Sequence, residues 1–397
     1  YRRESFEIGA GEPASYSLGP DITKAGVAQG FPGFRPSNEV DVDRNNWSAY
    51  VDVEGKLTEQ FTASAAVRFE DYSDFGSKTT GKVSARYDFD EHIALRGAVS
   101  SGFKAPALQQ QFFTYTSTNN TLVGSTFQLI EVGTFPVSSP VARALGATDL
   151  EPETSVNYSL GLVYRRGAFE LTVDAYQIEL ENRIVLSESL PNNNTPAATA
   201  AAISAILQPF GISAARFFIN GVDTTTKGVD VVARYRLDLG ESRLDLTAAA
   251  NFNSTEVTKI PGLPTLTALP QPTFLFDRGN RLTMEEGTPE RKLVFSADWT
   301  RGDLALSTKV TNYDGVMIPN NTASFDYGTD TATLVDLEGR YTWNDVTLAL
   351  GATNVLDEYP NYTPGTINSP TGSIGYPGYS PFGFNGRFVY GRLSYSW

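Results

Sequence analysis

Two runs of aromatic and amide side chains contain the residues whose types suit binding of a small molecule. The first, "QQQFFTYTSTNN", begins at residue 109, and the second, "DEYPNYTPGTINSPTGSIGYPGYSPFGF", begins at residue 357. Aromatic faces beside amides suit sugars, catechol rings or peptides, because stacking and hydrogen bonding can act on one ligand. The candidate contact residues are Gln109, Gln110, Phe112, Phe113, Tyr115, Tyr359, Tyr362, Tyr376 and Tyr379. The alternative is that these rings pack loop against loop or lie at a lipid interface.

Covalent chemistry finds little support in the same sequence. The chain has no cysteine, and its one histidine, His92, lies in a short turn where we interpret it as solvated. No Ser-His-Asp set is recognisable, and no Gly-rich phosphate loop follows a strand. The sequence therefore predicts a binding protein rather than an enzyme, without a cofactor.

Charged residues exclude one class of partner and leave a metal open. The formal net charge is -14 and no clustered Lys/Arg patch is present, which argues against nucleic-acid binding. Two acidic groups could bind Ca²⁺ through hard oxygen ligands. Their members are Glu285, Glu286 and Glu290, and Glu39, Asp41 and Asp43. We prefer the interpretation of a solvated acidic rim that holds no metal.

Alternating strands must position these side chains. Thirty-five Gly, 22 Pro, 19 Tyr and 24 Phe against two Met favour an all-β chain. In "FTASAAVRFED", the apolar residues from Phe61 to Phe69 alternate with Thr62, Ser64, Arg68 and Glu70. Runs of this kind recur along the chain and predict about 14 strands.

The links between these strands predict how the sheet is arranged. Short turns at "VEGKLTE", "DFDEH", "RRGA", "LGES", "TRGD" and "WNDV" alternate with long links, "DYSDFGS" excepted. No apolar run reaches about 18 residues, the length that a membrane helix needs, so spanning would require a β-barrel. We predict a transmembrane antiparallel β-barrel with short periplasmic turns and long extracellular loops. A soluble sandwich is the alternative, because it also alternates.

Three local features refine this prediction. Aromatic residues near strand ends suit girdles at the membrane interfaces, namely Phe69, Tyr72, Tyr87, Phe89, Tyr164, Trp343 and Trp397. Helix-forming composition between Thr195 and Phe210 predicts a short helix in an extracellular loop, with a buried core helix as the alternative. In "SSGFKAPALQQ", the stretch from Gly102 to Pro106 should end a strand at the outer rim. Val99 and Phe103 should meet lipid there, and Lys104 should lie at the polar boundary.

Five motifs in order give the chain a resemblance to a known family. "SSGFKAPALQQ" resembles a Gly-Phe-Arg/Lys-Ala-Pro element, and "ALGATDLEPETSVNYSLGLVY" a strand re-entry with Leu-x-Pro-Glu. "FFINGVDTTTKGVDVVARY" is similar to a Gly-hydrophobic-Asp strand, and "LGATNVLDEYP" to an Asn-hydrophobic-hydrophobic-Asp motif. "GRFVYGRLSYSW" resembles a terminal strand, with Trp397 where Phe is usual. Together these motifs resemble the TonB-dependent outer-membrane receptors.

The resemblance implies an organisation larger than this chain. Receptors of the family have an N-terminal plug, a coupling segment (the TonB box) and a barrel of about 22 strands. Residues 1–397 would form the C-terminal part, with about the last 14 of these strands. We expect the plug and the remaining strands to come from another chain or segment, because an open sheet edge in lipid is prohibitive.

The resemblance also implies a function at the bacterial outer membrane. It implies active uptake of a bulky, scarce nutrient that is siderophore-like, cobalamin-like or an oligosaccharide. Uptake would be energised by the TonB complex of the inner membrane. The partners implied are the plug, outer-membrane lipid and lipopolysaccharide, and the small-molecule substrate. The alternative is a passive porin or an adhesin-like barrel.

Overall fold

A computed structural model describes residues 1–16, 32–123, 126–191, 195–260, 275–365, 367 and 375–397. Its strands are β1 (Arg2–Ile8), β2 (Val40–Lys56), β3 (Phe61–Tyr72), β4 (Gly76–Asp88), β5 (Ile93–Lys104), β6 (Tyr115–Val123), β7 (Thr126–Phe135), β8 (Glu153–Arg166), β9 (Phe169–Leu186), β10 (Ala214–Leu239), β11 (Ser242–Lys259), β12 (Arg291–Arg301), β13 (Leu304–Tyr313), β14 (Met317–Ile318), β15 (Tyr327–Gly328), β16 (Ala332–Trp343), β17 (Val346–Thr353) and β18 (Phe388–Tyr395). Its helices are α1 (Pro13–Tyr16), α2 (Leu108–Phe112), α3 (Pro140–Ala144), α4 (Ala197–Leu207) and α5 (Arg278–Glu286).

One antiparallel path, here called the wall, carries most of the strands. Within the described residues it belongs to a 16-stranded sheet and runs β1-β2-β3-β4-β5-β8-β9-β10-β11-β12-β13-β16-β17-β18. β6 and β7 branch from it, and β14 and β15 form a separate two-stranded sheet. The path confirms the predicted all-β fold and the predicted strand count. None of the described helices is long and apolar enough to cross a membrane.

The outer face of the wall is apolar because the strand register places apolar side chains of neighbouring strands side by side on that face. Val83 of β4 lies opposite Ala65 of β3 and Val99 of β5, and Val99 lies opposite Tyr158 of β8. These side chains are solvent-exposed in the isolated chain; Val83, for example, is 64% exposed. Since side chains alternate along a strand, one register error would reverse the face of a whole strand. The predicted alternation is therefore confirmed across neighbouring strands.

The inner face of the wall is polar and held by paired charges. Ser64 and Ser84 approach to 2.6 Å between hydroxyl oxygens, and Arg96 of β5 pairs with Asp174 of β9 at 2.8 Å. That ion pair crosses β8 above Gly161, where a Cβ would lie only 2.1 Å from a carboxylate oxygen of Asp174. Glycine at this position leaves room for the pair, whose side chains would have to shift to accommodate a Cβ.

The links confirm the predicted asymmetry and correct one part of it. All the short turns lie at one end of the wall, between β2 and β3, β4 and β5, β8 and β9, β10 and β11, β12 and β13, and β16 and β17. The long links lie at the other end, with 73–75 as the short exception. The long links are not plain loops, however, since they contain β6, β7, β14 and β15 as well as the helices. The first candidate run, expected as a loop, forms α2 and the start of β6.

A buried hydrophobic cluster joins three of the long links and the adjoining ends of β9 and β10; we call these parts the cap. Its members are Val137, Val141, Ala142, Leu145, Ala147, Leu150, Ile184, Val185, Leu190, Ile203, Leu207, Ala215, Phe217, Ile219, Val222, Leu275 and Phe276. Helix α4 lies within the predicted segment and buries Ile203 and Leu207 completely. The helix thus lies in a long link, as predicted, and packs one face into the cluster while its other face stays exposed, so it is not the buried core helix of the alternative.

Candidate functional site

Helix α2 presents the first group of candidate residues at the end of the wall that carries the long links. Leu108 is buried beneath it, whereas Gln109 is exposed. The side chain of Gln110 accepts a hydrogen bond from the backbone N–H of Ala107 at 2.9 Å, which satisfies one of the free donors at a helix start. Gln110 therefore shapes the helix, while Gln109 and the half-buried Phe112 remain available to a ligand.

Beyond α2, Phe113 and Tyr115 form an aromatic cluster with Phe34 from the link between β1 and β2. The ring centroids of Phe34 lie 6.3 Å from Phe113 and 5.3 Å from Tyr115, both in edge-on geometry. The Tyr115 hydroxyl donates to the carbonyl of Pro32 at 2.8 Å. These two candidate rings thus pack loop against loop, the arrangement that the alternative interpretation described, and keep partly exposed edges.

The Gly-Phe-Lys-Ala-Pro element ends its strand within the stretch from Gly102 to Pro106, as predicted. β5 continues through Lys104, whose ammonium pairs with the buried carboxylate of Glu153 in β8 at 3.0 Å. Glu153 also accepts the backbone N–H of Ile184 at 3.0 Å. Phe103 packs against Tyr72 and Phe75, with ring centroids 6.0 Å and 6.4 Å away. The ladder ends after Lys104 because Pro106 has no backbone N–H to continue it.

Arg44 fixes the chain after this element, a role that no sequence pattern indicates. Its guanidinium donates to the carbonyl of Pro106 at 2.6 Å and lies 3.4 Å from a carboxylate oxygen of Asp74. It also pairs with Glu4 at 2.6 Å and lies 5.3 Å from the ring centroid of Tyr72. An inward-pointing arginine on an alternating strand resembles many others in the sequence. Only the fold shows which carbonyl it reaches.

Four rings in the link between β17 and β18 form a stack around Tyr376. Its ring centroid lies 4.9 Å from Tyr362, 5.8 Å from Tyr359 and 6.2 Å from Phe384, and every interplanar angle is 20° or less. Tyr362 is 72% exposed. The hydrogen bond to Tyr362, and then burial, raise the pKa of the Tyr376 hydroxyl to about 12. The hydroxyl stays protonated at neutral pH and can donate.

The Asn-hydrophobic-hydrophobic-Asp motif turns the chain from β17 into this stack. Asn354 has a positive φ of 50°, which asparagine tolerates better than most residues. Its side-chain oxygen accepts the backbone N–H of Glu358 at 2.9 Å, and Asp357 accepts that of Arg387 at 2.8 Å. Gly386 leaves room for Tyr359, whose hydroxyl would lie 2.1 Å from an added Cβ. These contacts join the two ends of the link.

The nine candidate residues thus fall into separate groups. Tyr359, Tyr362 and Tyr376 stand together, but Tyr379 instead donates to the carbonyl of Met317 at 3.1 Å. No ring contact among the described residues joins this stack to Phe113 and Tyr115. Part of the second run, residues 366 and 368–374, lies outside the described chain. Sequence reasoning missed Phe34, which comes from a distant link, and Phe384, which it had not singled out from the aromatic run.

Polar contacts tie the long links to one another. Arg278 of α5 makes a two-pronged contact with Asp326 at 2.9 Å and 2.6 Å, which holds the pKa of that carboxyl below its usual value. Asn361 donates to Asp330 at 2.7 Å. The links after β11, β13 and β17 are therefore connected side by side.

A carboxyl group of the cap has an unusual environment. Glu188 follows β9, accepts a short hydrogen bond from Asn280 of α5, and lies near Asp277 and Arg216. Burial, and then the charge of Asp277, raise the pKa of the Glu188 carboxyl to about 7, while Asn280 and Arg216 oppose the rise. The two acidic groups considered as Ca²⁺ sites each contain a carboxylate that pairs with an arginine. Glu285 pairs with Arg281 at 3.6 Å, and Asp43 pairs with Arg3 at 3.2 Å.

Most of the wall lies within the part of the chain that matches a known protein family. Residues 5–355 match the model of a family described as TonB dependent receptor-like, beta-barrel. The chain belongs to this family of TonB-dependent receptor barrels. Membership of this family confirms the resemblance that the five motifs indicated. It also confirms the expected location in the outer membrane. The short turns are accordingly periplasmic and the cap is extracellular. The family consists of receptors rather than enzymes, as the sequence predicted.

Similar proteins come from several bacteria. The probable TonB-dependent siderophore receptor PirA of Acinetobacter baumannii is 26% identical over 162 residues, which are 38% of this chain and 20% of that protein. The vitamin B12 transporter BtuB of Vibrio cholerae is 34% identical over 70 residues, 18% of this chain and 11% of that protein. The ferric enterobactin receptor PfeA of Pseudomonas aeruginosa, a solved structure, has a TM-score of 0.61 at 16% identity, over 90% of this chain.

This chain corresponds to only part of the solved receptor's length. The alignment with PfeA covers 46% of that receptor, so this chain spans less than half of it. A likeness at 16% identity supports the barrel architecture alone.

Proposed function

We propose that this chain forms part of the barrel of a receptor that takes up a bulky, scarce nutrient across the outer membrane with energy delivered by the TonB complex. The observation that carries the proposal is the division of the molecule into a two-faced wall and a folded cap at only its extracellular end. The apolar face suits lipid, and the charged face suits a hydrated interior. A cap at one end suits capture from outside.

In this proposal residues 1–397 supply the C-terminal part of the barrel, and the inner face surrounds a plug domain. Arg96 with Asp174 and Lys309 with Asp336 would line that interior as pairs. Charges that already have a partner suit contact with another folded polar surface. Such a contact would remove few unpaired charges from water, which is the costly step. The plug would receive substrate from the cap and would carry the coupling segment.

The substrate that we favour is siderophore-like, and the contact surface includes the Tyr362–Tyr376–Tyr359 stack and the exposed side of α2. Parallel phenol rings offer flat faces and hydroxyl donors to an aryl ligand. The relatives named above include a probable siderophore receptor, which supports this choice. A cobalamin-like ligand is the second candidate, because one relative is a vitamin B12 transporter.

The test is uptake by a strain that lacks the gene and by the same strain with the gene restored. We expect saturable, high-affinity uptake of ⁵⁵Fe-enterobactin in the restored strain only, abolished by a protonophore. A matched assay with radiolabelled cyanocobalamin separates the two ligands. Uptake that persists without a proton gradient and rises linearly with concentration would indicate a passive porin and would contradict the proposal.

A further inference from the structure

Helix α2 lies far from the strand that leads into it. It follows β5, yet it contacts β1 and β2 at the beginning of the wall. The order β1-β2-β3-β4-β5 places β5 three strands from β2, a distance of roughly 14 Å at about 4.8 Å per strand. The chain therefore turns back across the outer ends of β4 and β3. A helix of five residues cannot hold such a position by its own backbone hydrogen bonds.

A compact polar network holds α2 there. Arg44 of β2 donates to the carbonyl of Pro106 at 2.6 Å and approaches Asp74 at 3.4 Å. Gln111 of α2 donates to the same carboxylate at 2.9 Å and to the same carbonyl at 3.3 Å. Two donors thus share two acceptors, one from the turn between β3 and β4 and one from the segment before α2. The network connects β2, this turn and α2.

Burial makes the arginine side of the network hard to replace. Arg44 is only 6% exposed, and its Nε and Nη2 atoms bond Glu4 at 2.7 Å and 2.6 Å. A buried guanidinium held from two sides has one low-energy position, because Nε and Nη2 face Glu4 while Nη1 faces Asp74 and the Pro106 carbonyl. Its removal would leave Asp74 and the Pro106 carbonyl with Gln111 alone.

We propose that Arg44 is a positioning residue for ligand binding: it fixes α2 across the outer ends of β1 and β2, and so determines where Gln109 and Phe112 stand. The ligand part rests on the proposed function, whereas the placement of α2 does not. This role is separate from stabilising the wall. The Nη1 atom of Arg44 that donates to the Pro106 carbonyl holds a segment that no strand-to-strand hydrogen bond reaches.

The first test measures the placement directly in the whole receptor in lipid bilayers, with any cysteine outside residues 1–397 replaced by serine. The chain contains no cysteine, so Gln109→Cys and Ser77→Cys give a unique pair of spin labels on α2 and on β4. We expect one narrow distance distribution, which Arg44→Met and Gln111→Ala broaden or shift. Arg86→Met is the matched control, since Arg86 points inward and pairs at 2.6 Å with Asp88 on its own strand. Equal distributions in all four proteins would overturn the proposal.

The second test asks whether the placement matters for a ligand, with ferric enterobactin as the probe and the whole receptor in cells. We expect Arg44→Met to raise the Kd about tenfold because α2 is no longer pre-organised, with a smaller rise for Gln111→Ala. The maximal uptake rate should stay unchanged in both, and Arg86→Met should match the parent. Parental affinity in both network variants would overturn the role of Arg44 in binding. If the parent binds neither ferric enterobactin nor cyanocobalamin, the proposed function fails, while the label distances still decide the placement of α2.

Discussion

Two phenylalanines in different regions meet opposite surroundings. Phe295 on the outer face of β12 is 45% exposed in the isolated chain, whereas Phe217 in the cap is fully buried. The wall turns its apolar side chains outward and pairs its charges inward, while the cap buries its apolar side chains as a soluble domain does. The wall consequently depends on lipid for the burial of its apolar face, and the cap depends on its own packing. Apolar side chains are therefore buried by lipid in one region and by internal packing in the other. The boundary lies where β9 and β10 leave the membrane.

The largest effect is expected from emptying the core of the cap. Phe217→Ala should cost about 3–5 kcal/mol of cap stability, because a fully buried aromatic ring leaves a cavity. Hydrogen exchange should show lost protection in α4 and in the start of β10, with β12 and β13 unchanged. Phe295→Ala is the matched control and should leave the cap protected. Equal loss of protection in wall and cap would mean that the two regions unfold together.

A charge on the outer face of the wall is expected to have the next largest effect. Leu160→Arg should destabilise the inserted wall by about 2–4 kcal/mol, the cost of arginine on a lipid-facing barrel site near the membrane centre. Ser159→Arg is its neighbour on the inner face, where Asp174 lines the same groove, and should be tolerated. Denaturant titration in bilayers measures both. If Ser159→Arg cost as much as Leu160→Arg, the assignment of the two faces would be wrong.

The pH dependence of the cap should be smaller and should have one sign. Because the pKa of Glu188 is raised to about 7 in the folded cap from a usual value of about 4.3, the folded cap prefers the protonated form. Its stability should be greatest below about pH 4.3 and should fall as the pH rises to 7. Exchange rates at α5 between pH 5 and pH 8 measure this, and Glu188→Gln should flatten the profile. A stability that rises with pH would contradict the assignment.

The smallest effect should come from an exposed ion pair of the wall. Arg165 and Glu170 pair at 2.6 Å near the periplasmic end, and Arg165 is largely exposed. Arg165→Gln should change wall stability by less than about 1 kcal/mol, because solvent screens such pairs. The same denaturant titration measures it. A loss as large as that of Leu160→Arg would show that ion pairs, rather than lipid burial, stabilise the wall.

Sequence was sufficient for the wall because alternation and turn length are local. The apolar positions from Phe61 to Phe69 and the short turns around Gly167 and Gly302 could be identified without the fold. The helix near Ile203 was predictable from composition. Each of these signals lies within a few consecutive residues, which is the range that a sequence pattern covers.

The cap and the site could not be predicted in the same way, because their contacts join distant links. Arg44 reaches Pro106, 62 positions away, and Phe34 packs on Tyr115 from another link. The sequence identified Tyr362 and Tyr376 as candidates but gave no reason to separate them from Tyr379. Whether these residues contact a substrate stays a prediction, with the experiments above as its test.

One face of the wall is expected to meet lipid, and the other is not. Single spin labels at successive positions of β12, residues 293–298, measure it most directly in outer-membrane vesicles, since the chain has no cysteine of its own. We predict high accessibility to oxygen at Leu293, Phe295 and Ala297, and low accessibility at Val294, Ser296 and Asp298, with a period of two. Uniform accessibility along the strand, or the opposite phase, would contradict this assignment of the two faces.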